Sequence, residues 1–346
     1  MRVTMNWARI ATLTAVIALL PSLAEAQQAV KIGLGAPTLS FLPIWSGRAL
    51  DTFKPQGLTA TVAALPGGDA SALAALDAGD IDLAAVGPDS MLRAAAKGQP
   101  FEIVYSLMSK VTLQLVVSKD FLERTGVKPT DPMQKRLAAL KGATFGATAL
   151  AGAQEAAARW LAGQGGLDPK NDIKVAQIGS PVAIQAALEA KRIDAYVLSP
   201  PEGFLSEKAG SGVVLVSMGD EFPLLARQPY LVLVAKKPIS PAASELINKT
   251  VVAMQAASKA VLEKPAETAD AIQKQFFAKA DPQAITSAVK SMSNGVADLG
   301  KIDVDGMKNA LTFNKEVGNN FGKEFDAMAT KDDLWTNFFV DGAKAK

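Results

Sequence analysis

One internal repeat constrains the fold of this chain more than any other sequence feature. The segment ALDAGDIDLAAVGPDS (residues 75–90) recurs as ALEAKRIDAYVLSPPE (residues 187–202) at a constant offset of 112 residues. Six of the sixteen paired positions are identical, and Gly67 meets Gly179 at the same offset. The repeat predicts two similar lobes, in which equivalent loops follow equivalent strands.

Short β-rich runs alternate with helical patterns on both sides of the repeat. This alternation is typical of an α/β fold in which mostly parallel sheets are flanked by helices. Both halves read strand, helix, strand, helix, strand, loop. The predicted strands lie at residues 30–35, 58–66, 81–87 and 101–108 in the first half, and at residues 143–150, 173–179 and 193–199 in the second.

Two further strand-like segments indicate that the chain passes twice between the lobes. TLQLVVSKD (residues 112–120) resembles YLVLVAKKP (residues 230–238), and both stand outside the repeating units. If each segment forms an extra strand just after the chain passes from one lobe to the other, these crossings lie near residues 108–112 and 226–230. Two such crossings would form a hinge.

The chain after residue 240 carries helix-period apolar positions and no strand signal. Ser240-Pro241 and Asp281-Pro282 each read as a helix N-cap followed by proline at the first helical position. We expect these helices to pack back on the first lobe, because that lobe supplies the preceding strand.

The first 26 residues read as a cleaved export signal. Arg2 and Arg9 give a basic start, residues 10–20 are mainly apolar, and Ala24-Glu25-Ala26 is an A-x-A cleavage site. Its removal leaves 34 of 36 basic and 33 of 34 acidic residues, a balance that predicts no affinity for nucleic acid. Because cysteine is absent, no disulfide or lipid-modified cysteine is possible, and a free periplasmic protein is expected.

The absence of both histidine and cysteine excludes most catalytic chemistry. No Ser-His-Asp triad, Cys-His nucleophile or imidazole or thiolate zinc site can form. Gly33 and Gly35 after a strand imitate a dinucleotide fingerprint, but Thr38 stands in place of its third glycine. We therefore expect no enzyme activity, no cofactor and no metal, and an enzyme that uses Asp89 or Glu202 as general base is the remaining alternative.

Candidate ligand contacts follow from the rule that ligands of open parallel sheets gather beyond the carboxyl ends of the strands. Applied to both halves, the rule selects loops of small and polar residues that would face one shared cleft. In the first half these residues are Thr38, Leu39, Ser40, Phe41, Gly67, Gly68, Pro88, Asp89 and Ser90. In the second half they are Thr148, Ala149, Gly152, Ala153, Gln154, Gly179, Ser180, Ser199, Pro200, Pro201 and Glu202.

These loops precede helices, whose free N–H groups can hold an anion. Phe41 and Trp45 are candidates for apolar contact with a ligand, although the helical spacing of Trp45 also fits the core. Ser180, Asp89 and Asp69 read equally well as helix N-caps. The repeated Asp82 and Asp194 precede strands, at the end away from the cleft, and are interpreted as turn or capping residues.

Five segments in this order resemble the nitrate/sulfonate/taurine-type (NitT/TauT) substrate-binding proteins of ABC importers. The resemblance covers nearly all of the mature chain. It is carried by the A-x-A signal and by LPGGDASALAALDAGDIDLAAVG, LKGATFGATALAG with GLDPKNDIKVAQIG, AALEAKRIDAYVLSPPEG and PAETADAIQKQF.

The resemblance implies a two-lobed type II periplasmic-binding-protein (Venus flytrap) fold with a C-terminal helical extension. Lobe one would comprise residues 27–110 and 230–346, and lobe two residues 111–229. A monomer would capture a small-molecule ligand and deliver it to a membrane permease driven by an ATPase. A relative that makes a pyrimidine from its own histidine is excluded, because this chain has none.

The expected ligand is a small organic anion of the sulfonate, nitrate or taurine class, because helix N-termini dominate the candidate loops. The rival is an amine-bearing heterocycle, such as a thiamine pyrimidine, held by Asp89 and Glu202 and stacked on Phe41. A sensory protein that presents its ligand to a receptor is the alternative from another functional class.

Overall fold

A computed structural model describes residues 27–150, 152–319, 321–330 and 334–344, so the predicted export signal lies outside the described residues. The described chain forms two five-stranded sheets. The first sheet contains β1 (Gln28–Leu34), β2 (Leu58–Ala64), β3 (Leu83–Val86), β4 (Phe101–Met108) and β10 (Leu231–Lys236). The second contains β5 (Gln114–Ser118), β6 (Thr144–Ala147), β7 (Lys174–Gln177), β8 (Ala195–Leu198) and β9 (Gly212–Ser217).

Helices follow most of these strands. Lobe one carries α1 (Leu42–Ala49), α2 (Asp69–Ala78) and α3 (Pro88–Ala95) between its strands. Lobe two carries α4 (Lys119–Thr125), α5 (Met133–Ala138), α6 (Ala153–Gln164), α7 (Pro181–Glu189), α8 (Glu202–Ala209), α9 (Met218–Glu221) and α10 (Pro223–Ala226). The C-terminal part contributes α11 (Pro241–Glu263), α12 (Pro265–Phe276), α13 (Pro282–Met292), α14 (Val304–Glu316), α15 (Lys323–Ala329) and α16 (Phe338–Lys344).

The two sheets have the same topology. Their strand orders are β2-β1-β3-β10-β4 and β7-β6-β8-β5-β9, and the fourth position of each is held by an antiparallel strand. That strand comes from the other side of a crossing, because β5 follows β4 of the first sheet and β10 follows β9 of the second. The two extra strands predicted from the sequence are therefore confirmed. The predicted limits of the lobes, at residues 110/111 and 229/230, stay a prediction.

The repeated aspartates hold equivalent positions at the amino ends of the strands. Asp82 Oδ2 accepts a hydrogen bond from Lys31 N at 2.7 Å, and Asp194 Oδ2 accepts one from Thr144 N at 2.8 Å. Each carboxylate thereby ties the start of one strand to its neighbour. Their predicted position before the strands is confirmed, but the predicted role as turn or capping residues is wrong, because each carboxylate bonds to a neighbouring strand far along the chain.

Each lobe has its own hydrophobic core. The central strands β3 and β8 are buried at every position, as expected for strands covered on both faces. Helices α11, α12, α13 and α16 pack against the first sheet, as predicted. Helix α14 differs, because Met307 and Leu311 pack on lobe one while Phe313 and Val317 pack on lobe two.

Local sequence signals place several element boundaries correctly. Ser240 accepts a hydrogen bond from Ala243 N at 3.2 Å and Asp281 from Ala284 N at 2.9 Å, so both predicted N-caps are confirmed. Strand β9 was not predicted. Within the described ranges, the structure contains no helix with the length and apolar character required to cross a bilayer.

Candidate functional site

The two lobes meet at a row of hydroxyl groups, at the carboxyl ends of the strands. Ser40 Oγ lies 3.1 Å from Thr112 Oγ1, which lies 2.9 Å from Ser199 Oγ. Tyr230 Oη lies 3.3 Å from the same Ser199 oxygen. Thr38 Oγ1 continues the row at 3.4 Å from Ser40 Oγ. We call this row the hydroxyl floor, because it joins a loop of each lobe to a residue of each crossing.

Thr112 and Tyr230 belong to this floor, although sequence analysis did not select them. Tyr230 packs against the cores of both lobes, and its burial raises the pKa of its phenol. Their position in the sequence could have identified them, since Thr112 is the first residue of one strand-like segment that follows a crossing and Tyr230 is the first residue of the other.

The other predicted contacts of lobe two are more exposed than the hydroxyl floor. Thr148, Gly152 and Gln154 are half-buried, and Thr148 Oγ1 donates to Gln154 Oε1 at 3.0 Å. Ser180 accepts from Ala183 N at 3.2 Å, which confirms its N-cap reading. Ala149, Ala153, Gly179 and Ser180 are exposed, as is Gly67 of lobe one.

The predicted apolar contacts lie elsewhere. Leu39 and Phe41 are each 1% exposed and belong to the core of lobe one, so neither offers surface to a ligand. Trp45 packs edge-on to Phe277, with ring centroids 5.8 Å apart, and donates its indole N–H to Thr38 O at 2.7 Å. The prediction that Phe41 contacts a ligand is therefore corrected, whereas the core interpretation of Trp45 is confirmed: the start of α1 packs inward and buries both rings.

Asp69 ties together three loops of lobe one. Gly68, with a φ of 74°, is the N-cap of α2, so the prediction of Asp69 as N-cap is wrong. The Asp69 carboxylate instead reaches across the end of β1 and accepts from Gly87 N at 3.0 Å. A Cβ on Gly35 would lie 1.6 Å from Asp69 Oδ1, which explains the glycine there. Burial raises the pKa of Asp69, and the nearby Asp89 adds to the shift.

Asp89 is engaged within its own helix. Helix α3 begins at Pro88 and its N-cap is Gly87, so the prediction of Asp89 as N-cap is wrong. One turn on, Arg93 forms an ion pair with Asp89 at 2.7 Å and donates to Ser90 Oγ at 3.1 Å. The carboxylate of Asp89 is therefore already paired with a cation of its own helix.

Glu202 opens the first turn of α8, directly after the buried Pro200 and Pro201, which are joined by a cis peptide bond. Its carboxyl is half-buried, and burial raises its pKa to about 7. No Lys or Arg of the described residues forms an ion pair with it. Its backbone carbonyl accepts from Tyr196 Oη at 2.9 Å, which fixes the start of the helix.

The helix N-termini at this site carry their own negative charge. Asp69, Asp89, Glu155 and Glu202 lie in the first turns of α2, α3, α6 and α8, respectively. Carboxylates at these positions compensate the positive end of the helix dipole. The first turn of α7 contains no acidic residue. The site offers hydroxyls, carboxylates and backbone groups that suit reversible binding of a polar solute.

This architecture defines a class of protein. Two α/β lobes joined by two crossings, with a C-terminal helical extension, form the type II fold of periplasmic substrate-binding proteins, as predicted. The model of the NMT1-like family matches residues 23–275, and the chain belongs to this family. The predicted kinship with NitT/TauT-type substrate-binding proteins is confirmed.

Solved structures share this fold at low sequence identity. A protein from Bordetella bronchiseptica RB50 has a TM-score of 0.72 and 24% identity, over 93% of this chain and 98% of that one. The periplasmic nitrate-binding protein NrtA from Synechocystis PCC 6803 has a TM-score of 0.69 and 14% identity, over 92% and 88%. The periplasmic aliphatic sulphonate binding protein SsuA from Escherichia coli has a TM-score of 0.62 and 16% identity, over 83% and 87%. A comparison with curated proteins found no match.

Proposed function

We propose that this protein is the periplasmic solute-binding component of an ABC importer. It would capture a small solute between its lobes and deliver it to the permease without changing it chemically. The observation that carries the proposal is the hydroxyl floor, which lies where the two lobes and both crossings meet. The nitrate- and sulphonate-binding roles of proteins with this fold support it.

Capture would be a shift of population between open and closed forms. A solute that contacts both lobes only when they close stabilises the closed form by the difference in its affinity for the two forms. The two crossings provide the hinge for this movement. The permease and its ATPase would then recognise the closed form.

Two ligand classes follow from the site. The anion expected from the sequence, of the sulfonate, nitrate or taurine class, finds support at α7, whose first turn is free of acidic residues and exposed at Ser180. The amine-bearing alternative finds support at Glu202, whose carboxyl has no cationic partner in the described chain. Leu39, Phe41, Pro88, Pro200 and Pro201 are buried. The other predicted contacts, together with the buried Ser40 whose hydroxyl joins the floor, remain our proposed binding surface.

A thermal-shift screen of the purified mature chain tests the proposal. Sulfonates, nitrate, carboxylates, amines and pyrimidines are the solutes to compare. A solute at 100 times its Kd should add about 2.7 kcal/mol to the free energy of unfolding. Failure of every class to stabilise the protein would contradict solute binding, and recovery of a chemically altered solute after long incubation would contradict a purely binding role.

Periplasmic location rests on the predicted signal, residues 1–26. We expect the protein in the periplasmic fraction with a mature N-terminus near Gln27, as measured by intact mass. A full-length chain that starts at Met1 in that fraction would contradict cleavage.

A further inference from the structure

A buried hydrogen-bond acceptor without a partner lies at the start of α8. Gln114, the first residue of β5, is 5% exposed, and its Oε1 makes no hydrogen bond within the described chain. This oxygen points at the first turn of α8, because a Cβ on Gly203 would lie 2.6 Å from it. Gln114 also lines a small cavity together with Thr112, Pro200 and Met292, next to the hydroxyl floor.

Gln114 and Glu202 therefore bring two acceptors to one end of lobe two. A buried carbonyl without a donor costs free energy, and a buried carboxylate without a cation costs more. A ligand that donates hydrogen bonds and carries positive charge would offset both costs. A ligand anion would instead add a third acceptor and a like charge.

Basic side chains near the site are already engaged. Arg93 is paired with Asp89 at 2.7 Å, and Lys110, at the rim of the same cavity, is paired with Asp220 at 2.6 Å. An anion would have to displace one of these carboxylates to gain a charged partner. The charges of the site thus favour a cation.

Two exposed apolar side chains lie at the same end of lobe two. Leu150, in the loop after β6, is 53% exposed, and Val182, in the first turn of α7, is 76% exposed. Sheet order places the β6 loop between the loops of β7 and β8. Gln185, one turn after Val182 on α7, donates to Glu202 O at 3.4 Å, which brings Val182 close to the start of α8.

We propose that the solute carries a protonated amine or amidine that is held by Glu202 and Gln114, and a compact apolar body that covers Leu150 and Val182. The inference rests on the proposed solute-binding function and specifies its ligand. Charge complementarity favours the amine or amidine group of the ligand, and the two exposed apolar side chains favour its apolar part.

Four probes test separately the effect of the ligand's charge and the effect of its apolar body on affinity. Calorimetric titration of the mature chain would compare benzamidine (cation with body), acetamidine (cation alone), benzenesulfonate (anion with body) and nitrate (anion alone). We expect benzamidine to bind at least about tenfold more tightly than each of the others, since a missing apolar contact alone changes affinity by about this factor. Tighter binding of benzenesulfonate or nitrate would overturn the inference.

Variants locate the contacts. Glu202→Gln should weaken benzamidine at least about thirtyfold, the loss typical of a broken charge pair, and Val182→Ser should weaken it about tenfold. Glu263→Gln and Val304→Ser, at other exposed positions, are the matched controls. Equal affinities in Glu202→Gln and Glu263→Gln would overturn the assignment of the head group.

The outcome also separates this inference from the function on which it rests. If none of the four probes binds, the test passes to the solute identified by thermal shift, whose charge and apolar part are compared with those proposed here. An anionic solute would overturn the inference and leave solute binding intact. Absence of any stabilising solute would overturn the proposed function itself.

Discussion

Glu202 gives a residue-scale prediction about stability and pH. Its pKa is raised from 4.5 to about 7 by burial, so the folded state holds a proton that the unfolded state releases in that window. The free energy of unfolding should therefore fall as pH rises from about 4.5 to about 7. Glu202→Gln removes the buried charge and should stabilise the free protein by roughly 1–3 kcal/mol at pH 8, discounted for partial exposure, with little effect at pH 4.

Urea unfolding at the two pH values measures this effect. Glu263→Gln, at an exposed helix end, is the matched control for the same change of side chain. A Glu202→Gln variant that is less stable than the parent at pH 8 would show that the carboxylate has a stabilising partner.

Asp69 and Gly35 give a second prediction at this scale. Gly35→Ala would place a methyl group 1.6 Å from Asp69 Oδ1, so the carboxylate must leave its site and Gly87 N loses its acceptor. We expect a loss of about 2–3 kcal/mol in the free energy of unfolding. Asp69→Ala should remove most of the cost of the glycine change, leaving the tight 3.1 Å contact with the backbone N of residue 69, and a double-mutant cycle measures the coupling. Additive effects of the two substitutions would contradict direct contact.

Residue roles were predictable from the sequence only where the partner is local. Ser180, Ser240 and Asp281 bond to an N–H three residues on, so their cap function can be read from the chain. Asp69 has the same appearance, a small polar residue before an apolar run. Its partner Gly87 lies 18 residues away and is brought near by sheet order, which no local pattern contains.

At the scale of elements, α14 connects the two lobes outside the hinge. Leu311 packs on lobe one, whereas Phe313, two residues or about 200° further round the helix, packs on lobe two. Trp160 of α6 packs edge-on against Phe313 with ring centroids 5.4 Å apart and donates its indole N–H to Glu316 at 2.6 Å. Opposite faces of one helix thus contact both cores.

Phe313→Ala should loosen this connection. We expect a loss of about 2 kcal/mol, less than for a fully buried phenylalanine because Phe313 is half-buried. We also expect a broader or divided thermal transition, because the lobes then unfold less cooperatively. Differential scanning calorimetry measures both, with the 67% exposed Phe338→Ala as control. A single sharp transition at the parent temperature would contradict the coupling.

Elements were predicted well where they repeat and poorly where they do not. Strands β1 to β4 and β6 to β8 were predicted from β-rich runs. The extra strands β5 and β10 were predicted from the similarity of residues 112–120 to residues 230–238. Strand β9 was missed although its run GVVLVS is rich in β-branched residues, a signal that would have completed the match with β4. The double packing of α14 depends on tertiary contacts on two faces, which periodicity cannot assign to separate partners.

At the scale of the whole molecule, the repeat predicted two lobes and one cleft, but the sequence did not determine which cleft residues face a ligand. Phe41 lies in the same loop as Ser40, yet the ring turns into the core while the neighbouring hydroxyl joins the floor. Which side chains of this loop face the core depends on how the following helix, α1, packs against the sheet. The ligand's charge likewise depends on which carboxylates are paired.

Closure of the lobes is the final prediction. The chain has no cysteine, so Ala70→Cys and Gln177→Cys can carry spin labels without background, one on each lobe at exposed positions that are not themselves proposed contacts. We expect the solute identified by thermal shift to shorten the distance between the labels, since ligand that bridges both lobes favours the closed form. The pair Ala70→Cys and Lys97→Cys, both on lobe one, should not change. If solute binds and neither distance changes, the two crossings do not act as a hinge, and any signal to the permease must come from the cleft surface itself.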